Sequence, residues 1–470
     1  MRNFAKIGLQ ITIVTYAILH FFTSFFEINI LINSLAIIGL CMFFLSIFYL
    51  SINQCKLPSF IFILGVLVLL YADSPLLDGI LHGTLQMRNM IGLLIIVPLI
   101  SWVLREEPYI EDIMSLFYRW INTSRRFYFG LLAFTQIIAY FLLFGSITMM
   151  YQFAHIILKN HQTEAWENFK GTALLRGFGL STLWVVSIPS FVFAVETLGA
   201  SLWIAIMQGF CIAMVGTWMA VIFSYFQEKK YGVEITPVLQ TELTNVLSYA
   251  SSKEVQVKKV IEFFLLFLTL FGSIFVIHAI FPLPLMLLIP IVIIAWVCLF
   301  YFVKGKGRKL FFVFRDYVKR DMTNQAYQLN VMVTVGVLIY GLKHTEFANA
   351  VVGGLNYIQD HFPLINSLYL LPFLVVLLGF LGLGPLTVMV LVAGILQSMA
   401  LPYPPELIVL AVTSGSVISI LISPVIMPVI VLSASNGLNL FTNGFRFNWK
   451  YAIAFYILVQ AYIQTMIHFW

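Results

Sequence analysis

Charge is what this sequence has least of. Only 10% of its 470 residues are Asp, Glu, Lys or Arg, and 61% are hydrophobic. A soluble globular chain carries about 25% charged residues, so the scarcity excludes a soluble protein and indicates a polytopic membrane protein. No polar stretch is long enough for a separate soluble domain, which excludes catalysis in an appended one. Cysteine is also scarce. Cys41, Cys55, Cys211 and Cys298 are scattered and form no C-x-x-C pair, so neither a zinc site nor a disulfide framework is indicated. Paired carboxylates, metal-ligand clusters, nucleophile triads and phosphate-cradling glycine loops are missing as well. The chain is therefore expected not to be an enzyme, and to use no cofactor apart from Na+ as a coupling ion. The net charge of +6 fits basic cytoplasmic loops and not a nucleic-acid partner.

What is present is a long series of apolar runs, near residues 8–26, 30–50, 58–72, 87–104, 127–158, 173–196, 199–225, 259–281, 283–303, 326–342, 364–399, 405–434 and 449–469. A membrane crossing takes roughly 20 such residues. Arg2 and Lys6 precede the first run without a small-residue cleavage site, which predicts a retained span and not a removable signal peptide. Basic residues set the sides. The stretches Gln227–Lys259 and Lys304–Arg320 are the densest in Lys and Arg and are expected in the cytoplasm, with the Phe281-Pro282-Leu283-Pro284 turn outside. The N-terminus is then cytoplasmic and the C-terminus external, in the plasma (inner) membrane.

Two segments read as amphipathic surface helices. Glu106–Arg126 places Ile110, Ile113, Met114, Phe117, Trp120 and Ile121 at helical spacing among Arg119, Arg125 and Arg126, which predicts the inner surface. Phe347, Val351, Leu355 and Ile358 form a face in a segment with no Arg or Lys, which predicts the outer surface. One inside and one outside imply two inverted halves. The chain must also return inside by Lys229, so one of the three runs between Arg126 and Lys229 is re-entrant. The 127–158 run, interrupted at Gly145-Ser146-Ile147-Thr148, is read as a helical hairpin; the 364–399 run, interrupted at Gly382-Leu383-Gly384-Pro385, is read as its counterpart from outside.

The interruptions recur at nearly constant spacing. Gly384-Pro385-Leu386-Thr387 answers Gly145-Ser146-Ile147-Thr148 at 387 − 148 = 239, and Gly177, Ser181, Leu183, Gly199 and Leu202 recur as Gly415, Ser419, Leu421, Gly437 and Leu440 at 415 − 177 = 238. A second break is expected at Ser187-Ile188-Pro189 and again at Ser423-Pro424, because proline inside a helix removes a hydrogen bond and clashes with the preceding turn. Broken segments in corresponding halves point to a transporter binding site. The fold expected is thus all-α and polytopic: two inverted repeats, about eleven transmembrane helices and two re-entrant hairpins.

This layout resembles the ion transporter superfamily, and most closely the divalent anion–sodium symporter architecture. The resemblance covers nearly the whole chain in order of elements and little of it in motif. That family has Ser-Asn-Thr at its hairpin tips, whereas the tips here read Ser146-Ile147-Thr148 and Pro385-Leu386-Thr387; the threonines are present and the Asn is absent. A lactate or gluconate permease, or the membrane subunit of a tripartite periplasmic transporter, fits the same layout. The resemblance implies a scaffold in 1–126, with the inner surface helix, and in 226–363, with a cytoplasmic linker and the outer surface helix. It implies a moving transport part in 127–225 and 364–470. It also implies a homodimer, surface helices acting as hinged arms, and an elevator-type motion.

The candidate substrate and ion ligands are Gly145, Ser146, Thr148, Ser187, Pro189, Gly384, Pro385, Thr387, Ser419, Ser423 and Pro424. Backbone groups freed at breaks, and hydroxyls beside them, can hold an ion or an anion at membrane depth; the same residue types also serve close packing and plain kinks. Glu196 and His155 are the candidates for coupling, and Arg176 is expected to snorkel to an interface. The function expected is a secondary active permease for a small organic or inorganic anion, coupled to sodium or protons. A cation/proton antiporter of the same superfamily, or a membrane enzyme or assembly protein acting on lipid-linked substrates, are the alternatives.

Overall fold

Proline and glycine mark the helix ends, and the helices are the whole of the regular structure. The computed structural model describes residues 2–107, 109, 113, 123–158, 163–233, 235–240, 253–362, 366–399 and 401–469. Among them there is no strand, and nine helices are long and apolar enough to cross a membrane, as a multi-pass all-α membrane protein requires. The surface helix expected over Glu106–Arg126 lies mostly outside the described residues. In bilayer hydrocarbon there is little hydrophobic gain from bringing helices together, so close packing and hydrogen bonds must hold the bundle.

The chain divides into two compact units. The first comprises Met1–Val103, Gly272–Leu364 and Val390–Leu401. It contains α1 (Arg2–Phe25), α2 (Asn29–Tyr49), α3 (Ile52–Tyr71), α4 (Leu76–Gln86) and α5 (Arg88–Ile96), and α6 (Ile100–Arg105) leads out of it. The apolar run placed at 87–104 is therefore longer, reaching back to Leu76. Later in the chain the same unit takes in α13 (Leu285–Val303), α14 (Gly307–Asp316), α15 (Ala326–Lys343) and α16 (Phe347–His361). Its axis is α15, buried from Leu329 to Ile339. Small residues permit that. A Cβ on Gly83 would lie 2.6 Å from the Val337 Cα, and one on Gly336 would lie 2.5 Å from the Gly83 carbonyl oxygen. Two backbones meet here with no room for a methyl group. Helix α16 forms where the apolar face at Phe347, Val351 and Ile358 predicts one; Phe347 is exposed, and Val351 and Ile358 are half-buried. The basic stretch 304–320 is largely helical too, with Phe311, Phe312 and Phe314 of α14 exposed.

The second unit comprises Leu104–Phe271, Ile365–Met389 and Pro402–Trp470. It holds α7 (Ser124–Leu142), α8 (Gly145–Ile157), α9 (Glu164–Ser181), α10 (Pro189–Thr197) and α11 (Leu202–Tyr231), then the start of α12 (Lys253–Ile280). It resumes with α17 (Ser367–Phe380) and the first residues of α18 (Pro385–Leu396), followed by α19 (Pro405–Ile422), α20 (Met427–Asn436) and α21 (Phe447–Ile467). Two central helices are buried on all sides, α9 from Trp166 to Ser181 and α19 from Glu406 to Leu421. They pack on each other; α7 and α11 flank α9, and α17 and α21 flank α19. Cross-links are polar. Gln136 of α7 accepts from the Trp184 indole N–H at 3.2 Å and donates to Thr217 of α11 at 3.0 Å. Lys259 pairs with Glu107 at 2.6 Å, and Tyr109 donates to Glu262 at 2.7 Å. Burial first, then Glu262, pushes the Tyr109 phenol above its usual value.

Candidate functional site

The second unit contains both expected breaks in crossing helices. Helix α9 ends at Ser181, the seven residues Thr182 to Ile188 are unwound, and α10 starts on Pro189. Helix α19 ends at Ile422, Ser423 to Ile426 are unwound, and α20 starts on Met427 with Pro428 second. Proline without an N–H suits a first turn, where that donor has no intrahelical partner. Both serines at the breaks are buried. Ser187 Oγ donates to the Tyr140 carbonyl of α7 at 2.5 Å, and Ser423 Oγ donates to the Gly379 carbonyl of α17 at 3.0 Å. Each unwound stretch is thus tied by the same bond to the helix two before the broken one, α7 or α17, and each hydroxyl keeps lone pairs that can accept.

Three further positions behave alike. A Cβ on Gly177 would lie 2.8 Å from the Leu132 carbonyl oxygen of α7, and one on Gly415 would lie 2.8 Å from the Pro372 carbonyl oxygen of α17. Gly199 and Gly437, just past α10 and at the end of α20, both have a left-handed backbone, with φ of 71° and 72°. Ser181 and Ser419 are both buried in the last turn of their helices. These are the pairs that the 238-residue spacing relates.

The hairpin tips need a correction. The interruption expected at Gly145-Ser146-Ile147-Thr148 falls earlier, at Leu143-Phe144, and Gly145 to Thr148 are the first turn of α8. The residue that turns the chain is Leu143, with φ of 49°; its counterpart 239 residues on is Gly382, with φ of 90°. Gly145 and Gly384 are in open surroundings, where an added Cβ would meet only Leu142 at 3.5 Å or nothing at all. Ser146 is buried and donates to the Leu143 carbonyl at 2.7 Å, capping the tip locally. Thr148 is half-buried; Thr387 is buried in the first turn of α18, which begins on Pro385. Pro424 is half-buried.

Sequence reasoning missed the charged groups of α9. Its apolar run was begun at residue 173, so Glu167 and Lys170 fell outside it; Thr163 followed by Glu164 and Glu167 is the N-terminal signature that places the start ten residues earlier. Glu167 and Lys170 are buried, 3% and 0% exposed, and pair at 2.5 Å. Tyr151 of α8 donates to Glu167 at 3.0 Å and stacks on His155, ring centroids 6.0 Å apart. His155, a coupling candidate, is thereby joined to a buried acid. Glu196, the other one, is half-buried in the last turn of α10.

Arg176 overturns its expectation outright. It is fully buried, not snorkelling. Its Nε donates to Asn448 Oδ1 at 3.1 Å, Nη1 to the Tyr128 hydroxyl at 3.0 Å and Nη2 to the Phe447 carbonyl at 3.4 Å, and the Tyr451 ring lies 4.5 Å beneath it. Every partner is neutral. Asn448 is set for this by donating to the Asn443 and Gly444 carbonyls of the π-helical turn Thr442–Arg446. Glu167 and Lys170 pair with each other, so Arg176 has no carboxylate partner among the described residues.

Helix α19 carries no charge beyond Glu406 in its first turn, which accepts from the Ser201 amide at 2.8 Å. It presents hydroxyls instead. Thr413 and Ser414 bond back to their own helix, while the buried Ser416 Oγ has no hydrogen-bond partner among the described residues. Among the described residues no cluster of three His, Cys, Asp or Glu side chains could hold a metal ion. No family model matches the chain, and no curated protein matches it.

Proposed function

We propose that the chain is a secondary active carrier built on two inverted repeats, of the kind seen in the ion transporter superfamily, and that it moves a small anion. The observation that carries the reading is the pair of matched breaks. At 182–188 and 423–426 two buried helices lose their ladder, the breaks held by a serine to α7 and to α17 respectively. Backbone is tolerated unpaired at membrane depth only where it lines a cavity or is buried in protein, and paired discontinuous helices are the usual place for substrate and coupling ions. Arg176 supplies the sign. A buried guanidinium with only neutral partners is costly unless an anion joins it.

Coupling runs through sodium or protons. Sodium would use oxygens at the tips, Ser146, Thr148 and Thr387, and at the breaks. The string His155, Tyr151, Glu167 and Lys170 favours protons, because titratable groups inside spans mark proton paths more often than structure. The N-terminus would be cytoplasmic, the C-terminus external, and the working form a dimer.

The test is uptake by proteoliposomes holding the purified chain, with a panel of carboxylates and oxyanions, under an imposed sodium or pH gradient. Saturable uptake of at least one anion is expected, falling at least about tenfold in Arg176→Gln and less in Arg176→Lys. Uptake of cations only, or of no solute while the protein stays folded, overturns the reading. Gradient choice tells the ions apart: the double variant Glu167→Gln, Lys170→Met, which strands neither charge, abolishes pH-driven uptake and leaves sodium-driven uptake in place.

A further inference from the structure

A cavity of about 320 Å3 opens among α9, α11 and the start of α21 within the second unit. Three cations line it, Lys230, Arg446 and Lys450, together with the amides of Asn168 and Gln227. Glu164 pairs with Arg446 at 3.1 Å and accepts from the Tyr231 hydroxyl at 3.2 Å. Lys230 and Lys450 have no carboxylate partner among the described residues, so the mouth keeps a positive excess.

Two amides face this space. Asn168 is only 3% exposed and lines the cavity. Gln227 Oε1 is buried and has no hydrogen-bond partner among the described residues; rotation of the amide turns that position into an N–H donor. Buried polar groups are normally satisfied, so Gln227 is placed to meet a group the protein does not supply. Phe223 and Trp449 form apolar walls, and Trp449 is 41% exposed.

We propose that this cavity binds a phosphate group carried on an apolar body. Ammonium groups, a guanidinium and two amide donors converging on one space suit a tetrahedral oxyanion with several acceptor oxygens. The volume exceeds what the anion alone fills, and the aromatic walls suit the rest of the molecule. Two sources present that chemistry: a phospholipid headgroup whose chains run along the exposed rings, and a soluble organophosphate. The site is separate from the breaks and does not depend on transport.

The experiment uses the full chain in phosphatidylcholine nanodiscs. Phenyl phosphate is titrated calorimetrically in one arm; in the other, phosphatidylglycerol is added to the bilayer and the lipid retained on the protein is counted by native mass spectrometry. Binding of either probe is expected, and which one binds identifies the source. The triple variant Lys230→Gln, Arg446→Gln, Lys450→Gln weakens it by about tenfold or more. Should that variant unfold, Lys450→Gln alone, an exposed site, still lowers affinity a few-fold. Lys229→Gln, which lines a different cavity, leaves binding unchanged. Neither probe binding, triple-variant binding equal to wild type, or an equal loss in Lys229→Gln, which would mean diffuse surface charge, overturns the proposal.

Discussion

The stretches 124–231 and 367–467 solve one backbone problem in the same way and fill it with different chemistry. Each packs a glycine of its central helix against a carbonyl of its first helix, α7 or α17, breaks that central helix near a buried serine, and resumes on proline-containing sequence. The first, however, carries Glu167, Lys170 and Arg176 inside, and turns its tip on a leucine. The second carries hydroxyls at Thr413, Ser414, Ser416 and Ser419 and turns its tip on a glycine. Backbone geometry is demanded by packing, which both stretches share; under the proposed carrier function one stretch would supply the charge for both.

The charged pair is where the two stretches should differ most. Lys170→Met strands Glu167 in the interior, and removing one partner of a buried pair costs about 3–5 kcal/mol. Adding Glu167→Gln should recover part of that loss. Thermal unfolding in detergent measures both, and a Lys170→Met chain as stable as wild type would mean that the pair is not buried.

Next come the close approaches, where the stretches should agree. Gly177→Ala and Gly415→Ala each push a methyl group to 2.8 Å from a carbonyl oxygen and should cost about 1–3 kcal/mol. Gly145→Ala and Gly384→Ala meet open space and should be nearly neutral in the same melt. A large loss at Gly177 with none at Gly415 would break the equivalence.

The serines at the breaks should be equivalent too, at smaller scale. Ser187→Ala and Ser423→Ala remove one hydrogen bond each and should cost about 1 kcal/mol, read as midpoint shifts in chemical denaturation. The smallest effect sharpens the contrast at the tips. Leu143 holds φ at 49°, a conformation that suits glycine; relief of that strain in Leu143→Gly should stabilise the chain by about 0.5–1 kcal/mol, while Gly382→Leu should destabilise it.

How much of this was legible depends on the kind of signal. The helical class, the break at Ser187-Ile188-Pro189 and the break at Ser423-Pro424 could be read because proline acts locally, on its own turn. The pairs Gly177 with Gly415 and Gly199 with Gly437 could be read because a packing or φ requirement excludes other side chains wherever it recurs. The tip turn at Leu143 could not: leucine carries no mark of a left-handed backbone, and the glycine two residues on drew the break to itself. Glu167 and Lys170 are not marked as interior by their own sequence, because a charged first turn reads as a helix start at the surface; Thr163 and Glu164 mark that start.

By itself the sequence determined that the chain is a helical membrane protein and where two of its helices break, at Ser187-Ile188-Pro189 and at Ser423-Pro424, since lipid leaves backbone polar groups no partner outside a helix and proline forbids one locally. Only the tertiary structure decided that Arg176 is interior and not at an interface, that the Glu167–Lys170 pair is buried and accepts from Tyr151, and that Lys230, Arg446 and Lys450 line one cavity. A side chain's burial and its partners on other helices belong to segments packed from distant parts of the chain, and no local pattern carries that information.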